Sequence, residues 1–597
     1  MGFYFERFED RRPPQPIPYS PGRELLYQYL ATISLVLGAW YLTWRWTSSL
    51  NHDALWFSVA LVVAETCAYV GLVLFTINLW KARDYPLKPP PFWISECVAD
   101  LNTPHRPIVV DVFFTTYDED PELVRLGVRD ARKIAYPYPI DIRIHVLDDG
   151  HRAAVQQMAE EEGVNYITRE NNIGFKTGNL RHAMAKTSGD FILICDADTR
   201  PFPTILERTL GYFRDADVAW VQTPRWFYDL PEGKPFRRWL GHHLGKPGFW
   251  IGRSIEALVG PIRIGRDPFA NDPRMFYDVV QRRRNWLNAS FCCGAGSIHR
   301  REAVMEAMVK AHAREIEREV RRFAKGIKDE EIRADFTEVM TRQVAPDTGL
   351  RRYKFRICED LYTSILLHSD RTRKWKSVLH PWVESKMLSP QDLPSSMARR
   401  FKYACGILDI AFHDNPVFMR GMKLPQRLMY ASTLWSHFGG LWNAVFLLSP
   451  VIFLYTGIAP VAAYSLEFFM HILPFLFFAE LAMMVGTWGI EGFKARVSYL
   501  AFFPIHVRAL GTVLKGGQCQ FPSTPKELRE RNPLHHVIPQ FAVIVLTLGG
   551  ILYSGLGYLL GWRDDFNGWL TNVSWGLINL VAMSGVVCAA FWEPDHE

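Results

Sequence analysis

The sequence predicts a mostly parallel α/β domain inserted between two sets of membrane-spanning helices. Three observations carry this expectation. Apolar runs of membrane length lie towards both ends of the 597-residue chain, with a long polar stretch between them; crossing the hydrocarbon takes about 20 apolar residues. Within the polar stretch, short apolar strand-like runs alternate with helix-like segments, the pattern of a parallel sheet with crossover helices. The strand-like runs end in acidic residues, and such a sheet gathers its strand ends on one ligand-binding edge.

In chain order, residues 1–20 (MGFYFERFEDRRPPQPIPYS) are polar and charged, unlike a secretory signal. Apolar runs follow at 25–46 and 55–80, then a basic, Pro-rich linker, KARDYPLKPPPF. A polar region extends from 92 to 380, and further apolar runs occupy 428–455, 461–488, 536–560 and 569–591, which makes six expected spans. This divides the chain into a tail with two helices (1–91), a soluble domain (92–385), interface helices (386–427) and four helices (428–597) that include a loop at 515–533. The hairpins TSSLNHD and TGIAP contain no Lys or Arg, whereas 491–533 carries Lys494, Arg496, Arg508, Lys515, Lys526, Arg529 and Arg531. The positive-inside rule therefore puts the soluble domain and both termini in the cytosol. A net charge of +6 with basic residues near the membrane runs fits that bias and argues against a nucleic-acid partner. The nine cysteines lack metal-ligand spacing and read as reduced thiols.

Inside the soluble region, IVVDVFFTTYDE, IRIHVLDDG, FILICDADT and VAWVQTP read as strands that end in polar residues, with PELVRLGVRDARKIA and AAVQQMAEEEG as helices between them. Two segments fit poorly. Residues 233–272 are rich in Gly, Trp and Arg without a clear period, and 302–340 reads as a charged, solvated helical excursion.

Each acidic station has a chemical reading beside a structural one. Asp196 and Asp198 follow a buried strand at i and i+2, so both point to one face; hard oxygens of this kind suit Mg2+ or Mn2+ and a diphosphate. Asp148 and Asp149 suit contact with a nucleotide base and ribose, although Asp-Gly also favours a plain turn. Lys176, between Gly174 and Gly178, offers a cation to a diphosphate without the spacing of a P-loop. Asp360 opens an apolar-periodic helix, where an acid serves as a cap or as a general base towards an acceptor hydroxyl.

As an ordered set, TTYDE, VLDDG, KTGN, DAD, VQTP, SFCCGA, CED and QFPSTPK resemble the motifs of processive, membrane-embedded family-2 glycosyltransferases. The nearest likeness is to bacterial cellulose synthase catalytic subunits and related β-glucan synthases that make curdlan or mixed-linkage glucan. The resemblance implies a GT-A domain, a UDP-glucose donor, Mg2+ (or Mn2+), inverting transfer to a growing polysaccharide, and translocation across a bacterial inner membrane, with accessory or export subunits as possible partners. Carried over by position, Thr116, Glu119, Asp148, Asp149 and Lys176 would hold UDP, and Asp196 and Asp198 the metal at the diphosphate. Asp360 would be the base, and Cys293 would lie near the acceptor. Phe521, Thr524 and Lys526 match a gating loop.

The sequence departs from that pattern at the acceptor motif. Where the family has QxxRW, this chain has RRFKY, with Arg399, Lys402 and Tyr403 at the Gln, Arg and Trp positions. Lys lacks the planar bidentate contact of Arg, and Tyr offers a smaller stacking face, so linkage is open: cellulose, a β-1,3 glucan or a mixed-linkage glucan. Single addition to a lipid acceptor and a non-catalytic assembly role are further alternatives. No soluble cyclic-di-GMP module is expected after the last span. Glu65, Glu467 and Glu480 fall within predicted spans, where an ionisable group faces the bundle interior or a wet path. Trp435, Trp442, Phe468 and Phe469 are candidates to line a channel. Residues 391–412 and 493–514 read as amphipathic interface helices.

Overall fold

The computed structural model describes residues 3–100, 102–172, 174–265, 267, 269, 271–308, 320, 324, 330, 359–490, 492–516 and 533–591. Its strands are β1 (Ile108–Thr116), β2 (Ile140–Asp148), β3 (Asn165–Ile167), β4 (Phe191–Asp196), β5 (Arg200–Pro201), β6 (Val218–Gln222), β7 (Lys234–Pro235), β8 (Arg263–Ile264), β9 (Ser297–Arg300), β10 (Lys376–Leu379) and β11 (Ser385–Lys386).

Among the described residues, seven strands form one sheet in the order β10-β6-β9-β4-β1-β2-β3. All neighbours run parallel except β9, which lies antiparallel between β4 and β6. The sheet is therefore mostly parallel, as its near-continuous apolar strands require when helices cover both faces. β1 is buried along almost its whole length, with Val110, Val112, Phe113 and Phe114 removed from solvent. The one charge in its middle, Asp111, is held by Arg301 at 2.5 Å, Gly189 N at 2.8 Å and His145 at 3.2 Å. Those partners make a buried carboxylate tolerable.

Six helices among the described residues are long and apolar enough to cross a membrane: Pro21–Ser48, His52–Leu79, Gly439–Thr456, Leu466–Thr487, His535–Leu559 and Phe566–Ala590. They match the six apolar runs in number. The third starts later than the sequence suggests, because the run from 428 breaks in two. Helix Leu424–Ser436 ends and Gly439 begins the next. A Cβ at Gly439 would collide with the Tyr499 hydroxyl, and one at Gly440 would stand 2.8 Å from His506 Cβ, so the paired glycines let the neighbouring helices close on the break.

The interface segment at 391–412 is helix Leu393–His413, capped by Asp392 accepting from Ser395 N at 2.7 Å. The second one divides into Gly492–Ala501 and Phe503–Leu514. Residues 301–308 are helical, and most of the charged segment beyond them lies outside the described residues.

The aperiodic segment 233–272 contains a helical hairpin. Its period resets at Gly245, whose left-handed backbone (φ 66°) interrupts Phe236–Val259. The paired strands β7 and β8 close its base.

Within the spans, Glu65 meets Arg45 at 2.9 Å and the Tyr41 hydroxyl at 2.9 Å, Glu467 accepts from Trp44 Nε1 at 2.9 Å, and Glu480 pairs with Arg496. Trp435 stacks on Trp442 at 5.7 Å and donates to the Cys67 carbonyl at 2.9 Å.

Candidate active site

Parallel register sets Thr116 opposite Asp148 and Thr115 opposite Asp196. The acidic ends of β1, β2 and β4 therefore share one edge of the sheet. Each station is then shaped by its own turn.

Asp148 is fully buried and accepts from Gly150 N at 2.9 Å, Arg152 N at 2.8 Å and the Tyr166 hydroxyl at 3.1 Å. Arg152 also donates to Thr116 Oγ1 at 2.7 Å, and that hydroxyl donates to Glu119 Oε2 at 2.9 Å. Asp149 takes both prongs of Arg169 at 2.7 Å, and Arg169 reaches on to the Phe175 carbonyl at 2.8 Å. Both carboxylates thus brace the rim of the site; with Arg152 Nη2 also at 3.4 Å the four lone-pair sites of Asp148 are engaged, while Asp149 keeps lone pairs for a ligand. Asp149 also fixes, through Arg169, the turn that presents Lys176.

Lys176 lies in the first turn of helix Phe175–Lys186, entered through Gly174 at φ 80°. Its ammonium is ion-paired with Asp196, the last residue of β4. Asp198, two residues on, is buried and accepts from Leu388 N at 3.3 Å. The pair supplies hard oxygens; among the described residues no three His, Cys, Asp or Glu side chains converge as a complete cation site.

Asp360 begins helix Glu359–His368. Burial pushes its carboxyl above the usual range; Lys176 and Arg225 oppose that rise, Asp196 adds to it, and Lys402 pulls it back down. A carboxylate so placed is a base whose proton affinity is set by the surrounding cations.

The loop that packs on Asp360 is held by Gln222 and Arg225. Cys293 N donates to Gln222 Oε1 at 2.8 Å, and Arg225 donates to the Cys293 carbonyl. Burial raises the Cys293 thiol to about 11, so it is neutral at physiological pH. The described cysteines are free thiols.

Helix Leu393–His413 carries Arg399, Lys402 and Tyr403 at i, i+3 and i+4, hence on one face. Arg399 donates to Asn271 Oδ1 at 2.8 Å and lies over the Phe227 ring at 5.5 Å. Tyr403 is 44% exposed. The buried Tyr277 is hydrogen-bonded to the Cys293 side chain, while the exposed Lys402 acts electrostatically on Asp360. Phe521, Thr524 and Lys526 lie outside the described residues.

Sequence reading missed Arg225 and Tyr277. Arg225 had a usable signal, since it stands just past the end of β6 as Asp148 and Asp196 stand at theirs. Its Nε is buried with no hydrogen-bond partner among the described residues, a donor that an anionic ligand oxygen would satisfy. Tyr277 had no comparable signal: it sits in the irregular helix Met275–Gln281 and reaches the site only through tertiary packing.

Residues 111–307, which run from within β1 through β9 and include the Asp196 station, match the model of glycosyl transferase family 2. This part of the chain is therefore similar to family-2 glycosyl transferases. Beyond that region, the chain is 29% identical over 577 residues to the UDP-forming cellulose synthase catalytic subunit of Komagataeibacter sucrofermentans, covering 94% of this chain and 65% of that one. Cellulose synthase 1 of Komagataeibacter xylinus is 28% identical, with 94% of this chain aligned to 32% of the relative. The catalytic subunit of Pseudomonas fluorescens is 28% identical over 77% of this chain and 52% of its own length. The chain thus spans between about a third and two thirds of these relatives. Among solved structures, a mannosyltransferase from Pyrobaculum calidifontis in complex with GDP-Man and Mn2+ overlaps 73% of this chain and 99% of its own at 11% identity and a TM-score of 0.39. So loose an overlap adds nothing to the fold assignment, which rests on strand order and the family match.

Proposed function

We propose that the protein is a processive, inverting glycosyltransferase that polymerises glucose from UDP-glucose into a β-glucan and passes the chain across the membrane through its own helices. The observation that carries this reading is the convergence of Lys176, Arg225 and Lys402 on Asp360, at the sheet edge that also presents Asp196 and Asp198. The extended similarity to UDP-forming cellulose synthases supports the choice of donor and product class.

In the reaction, an acceptor hydroxyl attacks the anomeric carbon of the donor from the face opposite the diphosphate. The new C–O bond forms as the bond to the diphosphate oxygen breaks, UDP departs, and the hydroxyl proton passes to Asp360. Lys176, released from Asp196, neutralises the departing diphosphate, and Arg225 supplies a second fixed cation. Asp196 and Asp198, with their hard oxygens, would hold a Mg2+ or Mn2+ ion, which would supply charge stabilisation to the leaving group. The rim formed by Thr116, Glu119, Asp148 and Asp149 receives the nucleotide. Cys293, Arg399, Lys402 and Tyr403 border the acceptor, and orientation there sets the linkage. Phe521, Thr524 and Lys526 complete the reading as a gating loop. Membrane orientation follows the basic loops, with the transferase domain in the cytosol of a bacterial plasma membrane.

The test is incubation of the nanodisc-held protein with Mg2+ and radiolabelled UDP-glucose, followed by linkage-specific glucanases. Polymer cut by a β-1,4-glucanase alone is the expected product. Polymer cut by a β-1,3-glucanase ties the Lys402–Tyr403 replacement to a changed linkage. Short lipid-linked product, or no glucose transfer at all, overturns the processive reading.

A further inference from the structure

The helical hairpin within Phe236–Val259 is largely exposed. It buries only its internal seam, where Gly248, Gly252, Glu256 and Val259 face the first arm. A Cβ at Gly252 would stand 2.7 Å from Arg237 Cα, and one at Gly248 would stand 2.4 Å from the Leu240 carbonyl. Small residues at the seam let the arms touch and leave six large apolar side chains on the outside. Trp239, Leu244, Trp250, Ile251, Ile255 and Leu258 are all exposed, Leu244 at 59% and Trp250 at 58%. On the second arm, positions 250, 251, 255 and 258 cluster on one side of the helix.

Charge adds a second, independent observation. Residues 234–264 contain six basic residues (Lys234, Arg237, Arg238, Lys246, Arg253 and Arg263) and one acid, Glu256. That acid is turned into the seam, 3.6 Å from Arg237 and accepting its backbone N–H at 3.2 Å. Apart from its base, where Arg263 pairs with the exposed Glu232 at 3.4 Å, the outer surface of the hairpin is apolar and cationic with no acidic residue, and Arg253 lies over Trp250 at 5.1 Å.

Position adds a third. The hairpin's root is wedged against the end of a membrane-length helix: a Cβ at Gly260 would meet the Trp488 backbone at 2.6 Å, and one at Gly489 would meet the Pro261 carbonyl at 2.4 Å. Trp488 caps helix Leu466–Thr487 on the side where Arg23 lies over its ring and Arg283 reaches the Gly486 and Leu79 carbonyls. That is the transferase-domain end of the bundle.

From these three observations we infer that the hairpin is a membrane-docking arm, lying in the headgroup layer of anionic lipid beside the spans. Tryptophan and aliphatic side chains enter the acyl boundary while Arg237, Arg238, Lys246 and Arg253 meet lipid phosphates, as in interfacial amphipathic helices. The inference rests on the reading that Leu466–Thr487 crosses a bilayer.

Hydrogen–deuterium exchange of the full chain tests it, in nanodiscs of phosphatidylcholine alone and in nanodiscs containing phosphatidylglycerol. Exchange over 236–258 is expected to be at least about tenfold slower in the anionic discs and to recover in high salt. The double variant Trp250→Glu/Leu258→Glu removes that protection while 466–487 stays protected. Equal exchange in both lipids overturns the inference, as does protection that follows protein concentration instead of lipid charge, which would mark a second copy as the occupant. Free exchange over 466–487 would instead sink the spanning reading itself, so the two failures are told apart.

Discussion

Gly294 and Asp360 are fitted to each other. Gly294 has φ +85°, and a Cβ there would stand 2.7 Å from Asp360 Oδ2 and 3.3 Å from Arg225 Nη2. The loop can therefore cross the carboxylate only if that position has no side chain. Gly294→Ala is expected to displace Asp360, lowering kcat by about 100-fold, the scale of a misplaced reacting group. UDP affinity should change far less, because the substitution leaves the nucleotide rim and Lys176 untouched and only brushes Arg225. Single-turnover transfer measured beside UDP binding checks it; an equal loss in both would mean that the loop has collapsed.

The environment of Asp360 also predicts a pH profile. Burial raises its pKa above the ordinary carboxylate range, while Lys176, Arg225 and Lys402 restrain the rise. A general base works only when unprotonated, so kcat at saturating donor should fall as pH drops through that raised pKa. Arg225→Met removes one restraining cation, so the acidic limb should move to higher pH. Asp360→Asn should lower transfer by about 1,000-fold at every pH and leave UDP binding in place. A limb that stays put in Arg225→Met would exclude Asp360 as the titrating group.

The Lys176–Asp196 ion pair sets up a competition between cations. On the proposed reading, the lysine occupies a carboxylate that the metal would use, and it would move to the diphosphate when donor binds. Lys176→Met should weaken UDP binding by about 10- to 100-fold, the worth of a charge-assisted hydrogen bond, and strengthen metal binding in the absence of nucleotide. Calorimetric titrations of UDP and of Mn2+, each performed separately, distinguish this from general damage, which would weaken both.

Much of this site is legible in the sequence because strand ends are local features. Asp148 and Asp196 terminate apolar runs, and parallel pairing brings such ends together whatever lies between them. The same logic reaches the six membrane-length helices, which need only length and hydropathy. What escaped depends on contacts between distant segments. β9 is antiparallel and short, and it is sheet only because β4 and β6 leave a gap that it fills. Tyr277 reaches the site by packing, with no periodicity to mark it. The hairpin at Phe236–Val259 hid its helices because an arm that buries only a glycine seam shows no core-facing stripe.

The N-terminal tail escaped for the same reason, and it yields the last prediction. Its sequence reads only as polar and charged, yet Phe5 is 2% exposed among Leu123, Tyr228 and Leu388. The Tyr4 hydroxyl donates to Asp229 at 2.9 Å, and Glu9 pairs with Lys386 at 2.5 Å as well as with Arg200. Asp229 in turn accepts from Ser389 N at 3.0 Å, and the preceding residue, Leu388, donates its N–H to Asp198. The tail thus braces the strip of backbone that positions one of the two candidate metal carboxylates. Tyr4→Phe removes one hydrogen bond to a buried, charged acceptor, a loss of about 1–3 kcal/mol. Phe5→Ala should cost more, about 3–5 kcal/mol, because it leaves a cavity. Both should raise the Mg2+ concentration for half-maximal transfer, while UDP affinity, which depends on the opposite rim, stays within about twofold. Thermal unfolding in nanodiscs and metal titration of transfer check the two effects together. A loss of stability without any change in metal dependence would make the tail a fastening alone, with no hold on Asp198.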